Sequence, residues 1–263
     1  MRITVFGLGE AGSSIAADLA AAGADVHAYD PADVATPDSV ARHESPKTAV
    51  KGATLVISAT AAKDAQRAIA QAWSEMKRGT IYADLSTAPP GLKQDLADTA
   101  AIRGLVFADV ALMAPVPGKG LATPALASGP GATVYAETIS ALGGKVEVVS
   151  HRPGDAVARK LLRSVVTKGW TSVLIESLQA AEVQGDVHWV WEHLVELVSG
   201  ADETLMRRLI TGTPQHIDRR VVEMESAQAF LESLGVPATM TAATAESLRR
   251  IQDAGMPGGV PPA

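Results

Sequence analysis

The stretch "ITVFGLGEAGSSIAADLAAAGADVHAYDP", residues 3–31, decides how the chain is read. A short apolar run leads directly into Gly7-Leu8-Gly9-Glu10-Ala11-Gly12, a G-x-G-x-x-G, and a helix of small residues opens directly after Gly12. Three glycines at that spacing also arise by chance. Between a strand and a helix, however, each has its own task. The first makes the tight turn, the second lets the backbone approach a pyrophosphate, and the third lets the helix pack close to the strand. The helix N-terminus adds unpaired N–H groups and partial positive charge. Gly7, Leu8, Gly9, Glu10, Ala11 and Gly12 are therefore the expected dinucleotide cradle. Thr60, directly after another β-rich run at 54–59, joins them as a cofactor-binding candidate. Asp30 lies 18 residues past Gly12, at the end of the second β-rich run. An acid there accepts hydrogen bonds from a ribose hydroxyl and repels a 2′-phosphate. No arginine lies between Asp30 and Val40, so NAD is expected over NADP.

The same alternation continues outward. Strand candidates are 2–7, 25–30, 54–59, 80–86, 105–112 and 145–150, with alanine-rich helices between several of them, among them 14–22 and 62–76. This pattern predicts βαβ units and a doubly wound parallel sheet covered on both faces. Past His151 the texture changes to helix only. A roughly 30-residue helical pattern at about 154–184 is followed by helical segments near 188–199, 202–211, 214–234 and 239–254. The expected organisation is a Rossmann-type domain over 1–152, an all-α substrate and dimerisation domain over 153–255, and a tail from 256 to 263.

Composition narrows the function. A net charge of −6 gives no basic footprint for nucleic acid or anionic lipid. There is no cysteine, which excludes disulfides and thiolate chemistry. The histidines show no ligand spacing with acids, so no metal is expected. The opening apolar run is too short for a signal segment or a membrane span, and a cytoplasmic protein is expected.

Two further stretches carry chemistry. "ADLSTAPP" (83–90) places Ser86 and Thr87 at the carboxyl end of a strand, where open α/β sheets bind ligands. "RPGDAVARKLLRS" (152–164) opens the long helix and puts Lys160 and Ser164 on one face, four residues apart. In this order the chain resembles the 6-phosphogluconate and β-hydroxyacid dehydrogenase superfamily, of the 3-hydroxyisobutyrate dehydrogenase-like type. The matching motifs are its G-x-G-x-x-G turn at 7–12, D-x-S-T at 84–87, D-A-P-V-S-G-G-like loop at 109–115 and K-x-x-x-N at 160–164. The resemblance covers roughly residues 1–180 well. The last third resembles a less-characterised branch with a shortened helical domain.

The resemblance implies an NAD(P)-dependent oxidoreductase acting on a CH–OH group, with Lys160 as the catalytic acid/base. A lysine beside a cationic nicotinamide, partly removed from water, has a lowered pKa and accepts the hydroxyl proton as hydride leaves. It implies Ser86 at both cofactor and substrate. It also implies a homodimer, which the apolar circumference of the long helix supports. The departures bear on substrate. The family asparagine is Ser164 here, which still donates and accepts. The polar S-G-G loop is replaced by Met113-Ala114-Pro115, which favours a small-molecule substrate with a more apolar portion against Met113. Arg219 or Arg220, near His216, could supply a cation for a carboxylate or phosphate. A solvated face with Glu223 paired to Arg219 is the competing reading. Two other functions remain open: imine reduction on the same fold, and a catalytically silent NAD-binding regulator. The lysine is typically replaced in imine reductases of the superfamily, and Lys160 argues against that reading.

Overall fold

The computed structural model describes residues 1–258, so residues 259–263 of the expected tail lie outside the described residues. The chain divides into two compact units, Met1–Arg163 and Ser164–Ala263.

In the first unit, β1 (Arg2–Phe6) leads into α1 (Glu10–Ala21), then β2 (Asp25–Tyr29), β3 (Ala41–Arg42), α2 (Pro46–Ala49) and β4 (Leu55–Ser58). There follow α3 (Ala65–Ala70), β5 (Ile81–Asp84), α4 (Pro90–Ile102), β6 (Val106–Leu112), β7 (Ala125–Ser128), α5 (Ala132–Ala141) and β8 (Val146–Ser150). They form one eight-stranded sheet in the order β3-β2-β1-β4-β5-β6-β7-β8. Every pairing is parallel except β6 with β7. The fold is thus Rossmann-like and mostly parallel, with one reversal where β7 turns back along β6.

The strands are apolar on both sides because both faces are covered. Ile3, Val5, Ile57 and Ala83 pack with Ile15 and Leu19 of α1 and with Tyr135 and Ile139 of α5. On the other face Phe6, Val56, Tyr82 and Phe107 pack with Ile69 of α3 and Leu96 and Ala100 of α4. Each fully buried Ile, Leu or Phe contributes about 1.5–3 kcal/mol. The stretch 62–76, expected as one helix, is broken. A 3₁₀ turn at Ala62–Asp64, the six residues of α3 and a second 3₁₀ turn at Trp73–Glu75 share it. Two strands escape the sequence reading, β3 and β7. β3 is two residues long, and β7 (ALAS) has no β-branched or aromatic residue to mark it.

The long helix α6 (Asp155–Gln184) starts within the first unit. The backbone at the start of α6 is bonded to β6 and β7: the N–H groups of Gly154 and Val157 go to Asp109 and that of Ala156 to Ser128. The second unit continues with α7 (Val187–Ser199), α8 (Glu203–Thr211), α9 (Ile217–Ser233) and α10 (Thr239–Ala254). Its own buried apolar cluster is small: Ala180, Leu231 and Val236. By contrast Trp189, Trp191, Val195, Leu197 and Val198 of α7 are exposed. Among the described residues no helix is long and apolar enough to cross a membrane.

Candidate active site

Strand order reverses beside β1, whose neighbours are β2 and β4. A sheet of this kind binds ligands outside the carboxyl ends of its strands at such a point. A cleft of ≈380 Å³ opens there, lined by Gly7, Gly9, Asp30, Thr60, Asp64 and Arg67 among others.

Two of the three glycines are required by the chain itself, each for its own reason. Gly7 has φ +85°, and a Cβ on it would stand 2.7 Å from the Ala59 carbonyl oxygen. A Cβ on Gly12 would stand 1.8 Å from the Gly7 oxygen, so α1 lies against the turn only because that position is bare. Gly9 differs. Its φ of −65° suits any residue, and an added Cβ would meet nothing within 4 Å. Nothing inside the chain therefore demands glycine at 9, and the space its missing side chain leaves faces outward at the start of α1. No side chain caps that helix. Open space in front of uncapped N–H groups fits a pyrophosphate. Leu8 and Gly12 are buried, and Glu10 is exposed on the first turn of α1.

Asp30 does more than line the cleft. Its Oδ2 accepts from the Leu8 N–H at 2.7 Å and its Oδ1 from the Ala32 N–H at 2.8 Å. The carboxylate thus braces the glycine turn, and each oxygen keeps a lone pair for a ribose hydroxyl. An arginine also stands beside Asp30, just past the 30–40 window. Arg42 on β3 donates to the carbonyls of Asp30 (3.3 Å), Ala32 (2.5 Å) and Val34 and to the Thr36 hydroxyl (3.1 Å). Its donors hold the loop after β2.

Farther along the same edge, Thr60 and Ser58 share a hydroxyl hydrogen bond of 3.1 Å. Ser86 follows β5 and is buried, and its hydroxyl donates to Asp84 Oδ2 at 2.6 Å. It therefore presents lone pairs to a ligand rather than a proton. Met113 follows β6, half-buried, with its N–H on the Pro124 carbonyl at 2.8 Å. Arg163 of α6 donates to the Met113 carbonyl. Lys160, also half-buried, lies one helical turn before Arg163.

Ser164 and Arg219 belong to the second unit. Ser164 is on α6 one turn past Lys160, and Arg219 is exposed on α9. Among the described residues no ion pair joins Arg219 to Glu223, and it is Arg220 that is held, donating to the Thr213 hydroxyl at 2.6 Å. The described residues contain no cluster of three or more His, Asp or Glu able to hold a metal ion.

Sequence reasoning missed one part of this edge. Lys93 on α4 is fully buried, with Nζ 2.7 Å from Asp84 Oδ2 and 3.0 Å from Asp109 Oδ1. The available signal was its place on the buried face of α4 with Leu96, Ala97 and Ala100.

Fold and site together define a dinucleotide-binding Rossmann-type domain, and comparison with known proteins supports an NAD(P)-dependent oxidoreductase. Residues 2–134 match the NAD-binding domain of 6-phosphogluconate dehydrogenase, and residues 181–251 match a domain of unknown function, DUF1932. The chain belongs to the 6-phosphogluconate dehydrogenase NAD-binding family. Among solved structures it is similar to a conserved hypothetical protein from Sinorhizobium meliloti 1021, at 29% identity and TM-score 0.62, covering 99% of this chain and 91% of that one. It is similar to the conserved protein MTH1747, of unknown function and itself described as similar to 3-hydroxyacid dehydrogenases. There identity is 27% and TM-score 0.60, over 97% of this chain and 98% of that one. It shares its fold with a reductive aminase from Aspergillus terreus, at 18% identity and TM-score 0.78, over 97% of this chain and 94% of that one.

Proposed function

We propose that the protein is a β-hydroxyacid-type dehydrogenase that prefers NAD and uses Lys160 as its acid/base. The observation that carries the cofactor half is Gly9, a glycine with no internal reason to be one, opening on a cleft that Asp30 also lines. The residues fit the group. Gly7 to Gly12 would hold the pyrophosphate, Asp30 the adenosine ribose, and Thr60 and Ser86 the stretch along the sheet edge. When bound, the nicotinamide supplies the hydride acceptor or donor. Lys160 Nζ takes the hydroxyl proton during oxidation and returns it to the carbonyl oxygen during reduction. Ser86, whose own proton lies on Asp84, accepts a hydrogen bond from a substrate hydroxyl other than the reacting one or from a cofactor N–H. Met113 sets an apolar boundary on the substrate. Asp30 supports NAD over NADP by charge repulsion of a 2′-phosphate.

Imine reduction is the second reading, favoured by the fold shared with the reductive aminase, a structure that holds NADPH and ethyl levulinate. A silent NAD-binding regulator is the third, motivated by the replaced substrate loop. The exposed tryptophans of α7 and the small core of the second unit support a homodimer.

The test is turnover of NAD and NADP over 3-hydroxy acids, aldonates and aryl-substituted hydroxy acids, with cyclic imines and NADPH alongside. Lys160→Ala is run beside the wild type, and mass is read by sedimentation. Dehydrogenase activity that collapses by orders of magnitude in Lys160→Ala supports the proposal. Turnover only of imines replaces it with the second reading, and NADH binding without any turnover with the third.

A further inference from the structure

The row of residues beneath the site is unusual for the middle of a parallel sheet. Ser58 of β4 is in register with Asp84 of β5, Asp84 with Asp109 of β6, and Asp109 with Ser128 of β7. All four are fully buried, at a level where neighbouring positions carry Val, Ile, Phe and Ala. Buried carboxylates persist only when paired and hydrogen-bonded. Lys93 does the pairing. Its ammonium donates to the Asp84 carbonyl (2.8 Å) and to Asp84 Oδ2 (2.7 Å), and it stands 3.0 Å from Asp109 Oδ1 as an ion pair without hydrogen-bond geometry.

Each carboxylate then passes the constraint on. Asp84 Oδ2 also receives the Ser86 hydroxyl. Asp109 Oδ2 receives the Ser128 hydroxyl (3.0 Å) and the N–H groups of Gly154 (3.2 Å) and Val157 (3.1 Å), while Ser128 Oγ accepts from Ala156 N–H (3.0 Å). The opening turn of α6 is thereby fastened to β6 and β7. A second fastening comes from Arg163 to the Met113 carbonyl. Lys160 lies three residues from each fastening point, and residues three apart share a helix face. Its place along the sheet edge is fixed from below and above.

We propose that Lys93 is the positioning residue of the active site, its ammonium aligning Ser86 through Asp84 and Lys160 through Asp109 and the start of α6. This rests on Lys160 being the acid/base, and the test separates the two claims. Ser128→Ala removes two hydrogen bonds, the one to Asp109 Oδ2 and the one from the Ala156 N–H, and leaves the charges alone. The double variant Lys93→Met/Asp84→Asn keeps the net charge of the cluster at that of the wild type and removes the ammonium.

Lysines are ¹³C-dimethylated, and the Lys160 signal is assigned with Lys160→Arg. NADH affinity is read by fluorescence, and turnover is measured on whichever substrate the wild type accepts. The expected result is a displaced Lys160 signal in both variants and kcat lower by about tenfold or more, with NADH affinity within about twofold of wild type in Ser128→Ala, which leaves the Ser86–Asp84 bond intact. Should the double variant not fold, Lys93→Arg, which keeps the charge and moves the donors, takes its place beside Ser128→Ala. An unmoved Lys160 signal in the folded variants, with only a lower melting temperature, overturns the proposal and makes the row purely structural. A wild type that binds NADH but turns over nothing refutes the acid/base reading instead, and the NMR comparison still decides whether Lys93 sets the place of Lys160.

Discussion

Gly9 and Gly12 lie one helical turn apart in the same motif, yet alanine at each should do opposite things. At Gly12 the new methyl would sit 1.8 Å from the Gly7 oxygen, 2.9 Å from the Gly7 carbonyl carbon and 3.2 Å from the Ala59 Cβ. Backbone cannot yield as a long side chain can, so α1 must back away from β1 by over an ångström. That opens the contact of Ile15 and Leu19 with Ile3 and Val5, all buried in one cluster. Overpacking with backbone displacement costs about 3 kcal/mol or more. At Gly9 no atom stands within 4 Å and φ is already −65°. Alanine there loses a little as an N-cap and gains a little by restricting the unfolded chain, for a net effect within about 1 kcal/mol. Its methyl would instead occupy the space the pyrophosphate needs, and NADH affinity should fall by at least about tenfold, or 1.4 kcal/mol. Urea unfolding and NADH fluorescence titration on both variants separate the effects. Gly9→Ala binding NADH like the wild type would refute the close-approach argument. Gly12→Ala unfolding at the wild-type midpoint would refute the packing argument.

Other consequences follow from burial and titration. Phe107→Ala, in the core between sheet and α4, should cost about 3–5 kcal/mol, whereas Ile102→Ala at an 80% exposed position should stay within about 0.5 kcal/mol in the same urea experiment. Burial would raise the Glu176 carboxyl, but the Thr241 hydroxyl and the backbone N–H groups of Met240 and Thr241 outweigh it and hold it below its ordinary range. A depressed carboxyl stabilises fully above its unfolded pKa and less as pH falls through the folded value. The advantage of wild type over Glu176→Gln should therefore be about 1–2 kcal/mol at neutral pH and shrink below pH 4.5. Burial, then the charges of His27 and Arg2, hold the His43 imidazolium below its ordinary range. The folded state then binds that proton less readily than the unfolded chain, so stability is complete above pH 6.5 and declines on acidification. His43→Gln should flatten that decline below pH 6.5, and an unchanged slope in pH-dependent melting would contradict the assignment.

Local patterns carried most of the fold. The apolar runs that became β1, β2, β4, β5, β6 and β8 are rich in Val, Ile, Tyr and Phe, and α6 lies within a residue of the span its periodicity marks. What stayed hidden needed partners distant in sequence. β7 is a strand only because β6 offers it hydrogen bonds, and Asp30 braces Leu8 only once β2 lies beside β1. The Lys93 row shows where local reading stops. A lysine in phase with Leu96, Ala97 and Ala100 already calls for a buried counter-charge, and β5 and β6 hold one acid each, Asp84 and Asp109. The composition of those elements therefore names the three partners. It leaves open whether one ammonium can reach both acids, because a shift of one residue in the β5–β6 register would send one carboxylate to the opposite face of the sheet. The register that pairs Asp84 with Asp109 is set by the whole sheet, and it turns three separate polar residues into one device.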